Sequence, residues 1–436
     1  MSLSFDDSLP CFVQSLRRTG LDVSDAAGVV IRDVRGRLSF VARVELSSDL
    51  TLRIDSEISE DLKPYISPIG AVADVNSPGA ARVLQDKMPI LLPIYLREDQ
   101  ISVNIRFLDR RAIGMDWLSP PSDPITSPPR LVFSSLKGGV GRSTALAVLA
   151  AELAEGGSSV LVLDLDMEAP GLGSMLIERE ALPVFGTIDF FVESGLRDLG
   201  EEFLLDCVGA SWVGGGHGRI DVVPAFGSKS IENPADILSK LARAYLEDGG
   251  SEEQPVTFLT RARDLLERLT SLANYDAVLV DARAGLHETS AAGILGLGAD
   301  VLLFGVDQPQ TQDTLSVLLS HLARFPVLNP EYDWRDRFRV IQAKADPQET
   351  ALIAFRGQTF DLFEEIIYPC DPALDYGIDD PNGPHFPIPI FEDERYRLFH
   401  PLRHSEQLTR DLYSKSFSAF LRFAVDRLQL NEENGQ

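Results

Sequence analysis

A glycine-rich stretch, Leu136-Lys-Gly-Gly-Val-Gly-Arg-Ser-Thr144, combines residue types that suit an anionic ligand. Its three glycines lack a Cβ, so successive backbone N–H groups can converge on phosphate oxygens. An apolar run at 130–135 precedes the stretch, and an Ala/Leu-rich helical pattern at 143–154 follows it and adds the positive end of a helix dipole. Ser143 stands where its hydroxyl would reach a magnesium ion. The pattern therefore predicts a loop that binds the phosphates of a nucleotide.

Three aspartates at the ends of apolar runs can supply the acidic half of such a site. Asp164 and Asp166 end Val162-Leu-Asp-Leu-Asp166, and Asp281 ends Tyr275-Asp-Ala-Val-Leu-Val-Asp281. Side chains two residues apart on a strand share a side, so Asp164 and Asp166 would face the same way. Phosphoryl transfer uses carboxylates to hold magnesium and to orient the attacking nucleophile. An Asp-x-Asp at a strand end is more often a turn or a cap, but the preceding glycine-rich loop favours the catalytic interpretation.

These motifs resemble a known family. The glycine-rich loop is similar to the deviant Walker A motif of the MinD/ParA family, KGGxGK[ST], and the segment around Asp164 and Asp166 resembles that family's switch region. The specific similarity covers Leu131 to Asp281 and extends loosely to about Phe391. It implies ATP and Mg²⁺ as cofactors and a homodimer that forms on ATP binding.

The resemblance also implies roles for individual residues. Lys137 matches the family's signature lysine, which reaches the phosphates bound by the partner subunit. The alternative interpretation is that Lys137 is an ordinary solvated lysine of the loop. Asp166 would orient or activate the attacking water, whereas Asp164 and the Walker B residue Asp281 would serve the magnesium ion with Ser143. The candidate residues are Lys137, Arg142 and Asp166 for catalysis; Lys137, Gly138, Gly139, Val140, Gly141, Arg142, Ser143, Thr144 and Asp346 for nucleotide binding; and Ser143, Asp164 and Asp281 for the metal.

Two arginines depart from the family pattern. Arg142 stands where the family places a phosphate-binding lysine, and its guanidinium can grip two phosphate oxygens but is planar and bulkier than an ammonium group. We expect binding to survive this change and the chemical step to be affected. Arg283 follows Asp281 and is a candidate for contacting the phosphate or the opposing subunit, as an arginine finger does. A salt bridge from Arg283 to a nearby acid is the alternative.

Recognition of the base is weakly encoded. Ala343-Lys-Ala-Asp346 follows a late apolar run and resembles an NKxD or TKxD element, in which Asp346 would accept two guanine N–H bonds. The family resemblance instead implies ATP, and short K-x-D strings are common, so ATP is favoured over GTP. The stretch 387–394 lies where relatives pack a proline-containing loop against the base, with an ordinary strand-to-helix connection as its alternative.

Proline placement divides the chain. The segment Pro120 to Pro129 has five prolines in ten residues and predicts an interdomain linker. Before it, residues 1–119 have β-branched and alternating runs that predict a small strand-rich α+β domain of unknown role. After it, apolar runs alternate with helical patterns over 130–430, which predicts an α/β domain with a doubly wound, mostly parallel sheet and helical insertions at 178–219 and 227–272. Residues 431–436 form a polar tail.

The predicted strands lie at 28–34, 38–46, 50–54 and 101–108 in the first domain, and at 130–135, 160–165, 220–225, 277–280, 301–306 and 338–342 in the second. An apolar stripe over 408–430 predicts an amphipathic helix. Helices that lie on membranes are usually rich in Lys and Arg on the polar face, whereas this one also carries acids and precedes an acidic tail. We therefore expect it to pack on the sheet.

Charge and cysteine content restrict the function classes. The 436 residues contain 40 basic and 66 acidic side chains, and residues 131–436 alone contain 25 basic and 48 acidic ones. Such an acidic surface argues against broad non-specific DNA binding. Three widely separated cysteines without a CxxC pair, an acidic N-terminus and the absence of a long unbroken apolar run indicate a cytoplasmic protein without a membrane span.

The motifs together favour a Mg-ATP-dependent switch ATPase with slow turnover, whose N-terminal domain contacts an unidentified protein partner. Three alternatives stay open. The first is a nucleotide-binding scaffold that hydrolyses little because Arg142 replaces the lysine. The others are a ParA-like DNA-partitioning protein and a MinD-like membrane-positioning ATPase.

Overall fold

The computed structural model describes residues 3–86, 89–111, 113–213, 217–247, 256–327, 332–371, 374 and 376–429. The chain forms two compact units, Met1–Leu118 and Ser119–Gln436. The roles assigned to residues 1–119 and 130–430 stay predictions, and the polar tail 431–436 lies outside the described residues.

In its described residues, the first unit contains a mixed five-stranded sheet and three α-helices. Its strands are β1 (Gly28–Arg32), β2 (Leu38–Ala42), β3 (Val72–Ala73), β4 (Ile90–Leu96) and β5 (Ile101–Asp109), and its helices are α1 (Phe5–Arg18), α2 (Ser48–Glu57) and α3 (Ala80–Gln85). The strand order is β3-β2-β1-β5-β4, with β1 antiparallel to β2 and parallel to β5. Phe12 of α1, Phe40 of β2 and Ile105 of β5 are fully buried in its own core.

One predicted strand of this unit is wrong. Residues 50–54 lie inside the helix α2, because the side chain of Ser47 accepts the backbone N–H of Leu50 and caps the helix, and Asp49 lies in its first turn. This local capping outweighs the β-branched character of Thr51 and Ile54. The predictions for β1 and β5 agree with the structure to within two residues, and the strand predicted at 38–46 is present only as β2, Leu38–Ala42, whereas α1 and β4 were not predicted.

The second unit contains an eight-stranded sheet in its described part. Its strands are β6 (Arg130–Ser135), β7 (Ser159–Asp164), β8 (Gly209–Ala210), β9 (Arg219–Val223), β10 (Ala277–Ala284), β11 (Asp300–Gly305), β12 (Phe338–Ala345) and β13 (Ile388–Phe391). The order is β13-β12-β11-β6-β10-β7-β9-β8, and every neighbouring pair is parallel except β8 with β9. Apolar residues buried on both faces form such strands, and the expected mostly parallel α/β fold is confirmed.

The connections between these strands are largely helical. The helices are α4 (Arg142–Glu155), α5 (Leu172–Leu176), α6 (Thr187–Glu193), α7 (Glu201–Leu205), α8 (Ser228–Glu232), α9 (Ile237–Ala244), α10 (Phe258–Leu272), α11 (Glu288–Ala291), α12 (Pro309–Leu322), α13 (Glu349–Ile366) and α14 (Arg410–Arg427). The intervals 178–219 and 227–272 hold α6 to α10 as predicted, but the first also contributes the edge strand β8, which was not predicted. Among the residues that the structure describes, no helix combines the length and hydrophobicity that a membrane span requires.

Two further segments of the second unit pack against the rest of it. Helix α14 places Phe420 with its ring centroid 6.1 Å from those of Phe133 in β6 and Phe304 in β11, so the predicted packing on the sheet is confirmed. The proline-rich segment 120–129 is hydrogen-bonded to the unit. The N–H of Ser122 donates to the carbonyl of Leu295, and that of Ile125 donates to Gly298, each over 2.7 Å.

Candidate functional site

The sheet brings the predicted motifs to one edge. Strand β10 lies between β6 and β7, with Asp281 in register with Phe133 of β6 and with Asp164 of β7. The three strands are parallel, so their carboxyl ends meet at the same edge. The glycine-rich loop after β6 and the acids of β7 and β10 therefore lie together, where ligands of open α/β sheets usually bind.

The glycine-rich loop has the backbone shape that its sequence predicts. Gly139 and Gly141 have φ angles of +75° and +92°, in the left-handed region that glycine adopts without a Cβ clash. Gly141 is followed at once by Arg142, the first residue of α4. The loop thus delivers its N–H groups and a helix N-terminus to the same place, which is a favourable site for phosphate.

Arg142 contacts two acids of the site. Its Nη2 lies 2.7 Å from Oδ2 of Asp166, and its Nε forms an ion pair with Oδ1 of Asp281. Its Nη1 also donates to the hydroxyl of Ser135 over 3.4 Å. Burial opposes the charge on Arg142, but the nearby Asp281 and Asp166 outweigh this effect and raise the pKa of the guanidinium. Its predicted contact with phosphate stays a prediction.

Ser143 and Asp281 form the pair that a magnesium site would use. The hydroxyl of Ser143 donates to Oδ2 of Asp281 over 2.6 Å. Among the described residues there is no group of three or more His, Cys, Asp or Glu side chains that could hold a metal. Magnesium in nucleotide sites is usually held by one or two carboxylates together with the phosphates of the substrate. The oxygen donors of Ser143 and Asp281 therefore fit a magnesium ion that arrives with its nucleotide.

Asp164 is fully buried and accepts backbone N–H groups. Its carboxyl oxygens accept from Asp166 over 3.0 Å, from Leu172 over 3.3 Å and from Gly171 over 3.4 Å. Burial, with the nearby charges of Asp281 and Asp166, raises the pKa of Asp164 to about 8. The carboxyl group shapes the loop between β7 and α5, and its predicted role toward magnesium stays a prediction.

Two lysines contact this edge of the sheet. The ammonium of Lys137 donates to the side-chain oxygen of Gln308 over 2.7 Å. Lys344 lies near the end of β12 and has a positive φ of +52°. Its Nζ donates to the carbonyl of Gly139 over 2.8 Å. Lys344 thus fixes the end of β12 to the glycine-rich loop.

A cavity of about 1200 Å³ opens at this edge. It is lined by residues 138–144 of the glycine-rich loop, by Asp166, and by Lys344 and Asp346. Residues 390–394 also line it, and they include part of the edge strand β13. Of the predicted site residues, Lys137, Asp164 and Asp281 lie outside this lining, the last two because they are buried behind it.

Arg283 lines the same cavity and pairs with Glu168. The ion pair is the alternative that the sequence left open for Arg283. It does not remove Arg283 from the cavity, since both side chains keep about a quarter of their surface exposed. Contact of Arg283 with a phosphate stays a prediction.

Asp346 is exposed and lines the cavity, and its Oδ1 accepts the N–H of Gln348 over 2.9 Å. The carboxylate therefore also shapes the turn into α13. The sequence does not indicate the partners Gln308, Glu168 and Ser135, or the contact of Lys344 with the loop. Of these residues, only Lys344 belongs to a motif, the K-x-D string that ends at Asp346.

A protein-family model matches the part of the sequence that contains the glycine-rich loop. Residues 129–187 match the ParA family model, described as the NUBPL iron-transfer P-loop NTPase. The resemblance to MinD/ParA-like P-loop ATPases is thereby confirmed. The matched stretch contains β6, the loop, α4, β7, and the acids Asp164 and Asp166. No curated protein matches the sequence significantly.

Solved structures of ParA and McdA proteins also match this chain. A ParA family ATPase from Chlorobium tepidum TLS is 16% identical, with 69% of this chain and 99% of that chain covered and a TM-score of 0.45. A pNOB8 ParA bound to nonspecific DNA is 20% identical, with the same coverage and a TM-score of 0.44. A substituted form of Cyanothece McdA in complex with ATP is 15% identical, covering 69% of this chain and 96% of that chain, with a TM-score of 0.41.

Proposed function

We propose that this chain is a Mg-ATP-binding, slowly hydrolysing switch ATPase that dimerises around nucleotide. One observation carries the proposal: the glycine-rich loop, Arg142, Ser143 and Asp166 all open onto one cavity, with Asp281 directly behind Ser143. A nucleotide bound there would place its phosphates at the start of α4. The match of residues 129–187 to the ParA family supports a nucleotide as the ligand.

The chemistry of such a site is electrostatic. Backbone N–H groups of the loop would bind phosphate oxygens, and Ser143 with Asp281 would hold a magnesium ion that neutralises charge on the phosphates. Asp166 would orient the attacking water, and Lys137 of one subunit would reach the phosphates of the other. We propose no covalent intermediate, because positioning and charge stabilisation are sufficient for phosphoryl transfer.

The base is proposed to be adenine, because the glycine-rich loop resembles that of the MinD/ParA ATPases and residues 129–187 match the ParA family model. Asp346 lines the cavity and keeps GTP as the alternative, since a carboxylate can accept two N–H bonds from guanine. We further propose that the protein acts in the cytoplasm and that its first unit binds a protein partner.

A second candidate function is favoured by one contact. Arg142 is already engaged by Asp166 and Asp281, so a nucleotide that relied on Arg142 would have to compete with two carboxylates. A nucleotide-binding scaffold with little hydrolysis would follow. It predicts that Arg142→Lys raises single-turnover hydrolysis by a large factor.

Titration calorimetry with ATP and with GTP, each with and without magnesium, tests nucleotide binding. Measurements of phosphate release then test hydrolysis, and measurements of the molar mass with and without ATP test dimerisation. We expect magnesium-dependent ATP binding, slow release of phosphate and a dimer with ATP. Ser143→Ala should weaken the magnesium dependence, whereas Ser418→Ala, at an exposed position of α14, should not. Folded protein that gives no heat with either nucleotide would overturn the proposal.

A further inference from the structure

The guanidinium of Arg142 lies between two carboxylates from different segments of the chain. Asp281 belongs to β10, whereas Asp166 lies in the loop that follows β7. Nη2 of Arg142 contacts Asp166 over 2.7 Å and Nε pairs with Asp281. Arg142 itself is only 7% exposed. One side chain therefore connects the glycine-rich loop to both acids.

This contact balances the charge of the site. Asp164, Asp166 and Asp281 are all buried, and a buried carboxyl group needs hydrogen-bonding or charged partners because it has lost its hydration. Asp164 accepts three backbone N–H groups. The other two acids share Arg142.

Only an arginine suits this bridge. A guanidinium presents several N–H donors in a rigid plane, so different nitrogens can hold different carboxylates at once. A lysine ammonium at the same position is a point charge on a flexible stem and would hold one carboxylate well. Asp166 is further restrained through its own loop, where Glu168 pairs with Arg283.

We propose that Arg142 is a positioning residue that holds Asp166 in place for the attacking water, rather than the cation that binds the phosphates. This inference rests on the proposed function, since Asp166 orients water only in a hydrolase. The phosphate charge would then be met by the N–H groups of the loop and by Lys344 and Arg283, which also line the cavity. The arginine in the glycine-rich loop is then required for hydrolysis in this chain.

Steady-state kinetics of Arg142→Lys separate the two roles. We expect kcat to fall by about tenfold to a hundredfold while KM changes by less than about threefold, because the orientation of the attacking water by Asp166 affects the transition state and not the binding of the nucleotide. In an Asp166→Asn background, Arg142→Lys should cost nothing further, because both changes break one unit. A rise in kcat, a change confined to KM, or additive losses would each overturn the proposal.

Amide hydrogen exchange of the nucleotide-free protein gives a readout that does not depend on ATPase activity. Arg142→Lys and Asp166→Asn should each speed exchange in the segment 165–172. Arg335→Lys is the matched control, because Arg335 is equally buried and also bridges two carboxylates, those of Asp333 and Asp371, away from the cavity. It should leave exchange in 165–172 unchanged.

Exchange also separates failure of this inference from failure of the proposed function. If wild-type protein binds no nucleotide but both site variants speed exchange in 165–172, the positioning contact stands and the ATPase function fails. If wild-type protein hydrolyses ATP and exchange stays unchanged in both site variants, the positioning role is overturned. Asp166→Asn breaks the contact from its other side, so the exchange test also holds if Arg142→Lys fails to fold.

Discussion

Asp281 is the residue whose loss should disturb the site most. It is 1% exposed, pairs with Arg142 and accepts the hydroxyl of Ser143. Asp281→Asn would leave the guanidinium without half of its countercharge, and breaking a buried ion pair costs about 3–5 kcal/mol of unfolding free energy. Urea denaturation followed by circular dichroism measures this loss. Asp361→Asn, at an exposed position of α13, should change the free energy by less than about 0.5 kcal/mol.

The role of the Arg283 side chain can be distinguished from that of its ion pair with Glu168 by substituting each partner separately. If Arg283 stabilises a phosphate, Arg283→Ala should lower ATP turnover by at least about a thousandfold, as expected for an arginine finger. Glu168→Gln removes the same ion pair but leaves Arg283 in the cavity. Phosphate release should therefore fall for Arg283→Ala and stay within about threefold of wild type for Glu168→Gln. Equal effects of the two changes would assign Arg283 a purely structural role.

Helix α14 completes the core of the second unit. Phe420 is fully buried and packs edge-on against Phe133 and Phe304. Phe420→Ala leaves a cavity beneath the helix and should lower the unfolding free energy by about 3–5 kcal/mol. Lys415→Ala, on the exposed side of the same helix, should change it by less than about 0.5 kcal/mol. A small effect of Phe420→Ala in urea denaturation would contradict this account of α14.

The segment between α13 and β13 contains a buried histidine that should make stability depend on pH. His385 contacts the hydroxyl of Tyr368 over 2.5 Å, and burial lowers the pKa of its ring. Because the folded pKa lies below the unfolded value near 6.5, stability is complete above about pH 6.5 and is lost as the pH falls toward the folded pKa. We expect a smaller drop in melting temperature between pH 7.5 and 5.5 for His385→Gln than for wild type. The exposed His400→Gln should leave the drop unchanged.

The elements near the site were largely predictable, because buried parallel strands have continuous apolar runs. The strands β6, β7, β10, β11 and β12 and the helix α4 lie within a few residues of their predicted ranges. Strand β8 has two residues and no periodic pattern, so its pairing depends on tertiary contacts. The strand predicted at 50–54 is wrong because the capping residue Ser47 favours a helix there.

At the site, the sequence motifs indicate which residues lie together but not how their side chains pair. Glycines and strand-end aspartates follow local rules, so their common location could be inferred from the motifs alone. The contacts of Arg142 with Asp166 and Asp281, and of Lys344 with Gly139, join segments distant along the chain. Their geometry depends on strand order and side-chain packing, which one sequence does not specify.

The charge of the whole molecule leads to a prediction about DNA. The chain has a formal net charge of −26, and a surface of that sign repels phosphate backbones. Fluorescence anisotropy with a labelled duplex should show no binding up to about 50 μM protein in about 50 mM salt. The pNOB8 ParA, solved with nonspecific DNA, serves as the positive control. Binding that weakens steeply as salt increases would restore the DNA-partitioning alternative.

The packing of Phe420 against Phe133 also has a consequence during protein synthesis. These aromatic rings are separated by roughly 290 residues, which a ribosome translating about 5–20 residues per second needs about 15–60 s to add. During that interval the newly made β6 has no partner ring from α14, whereas the core residues of the first unit have already been translated. The nascent second unit therefore exposes apolar sheet surface for most of its translation, and chaperones that bind such surfaces have that long to act.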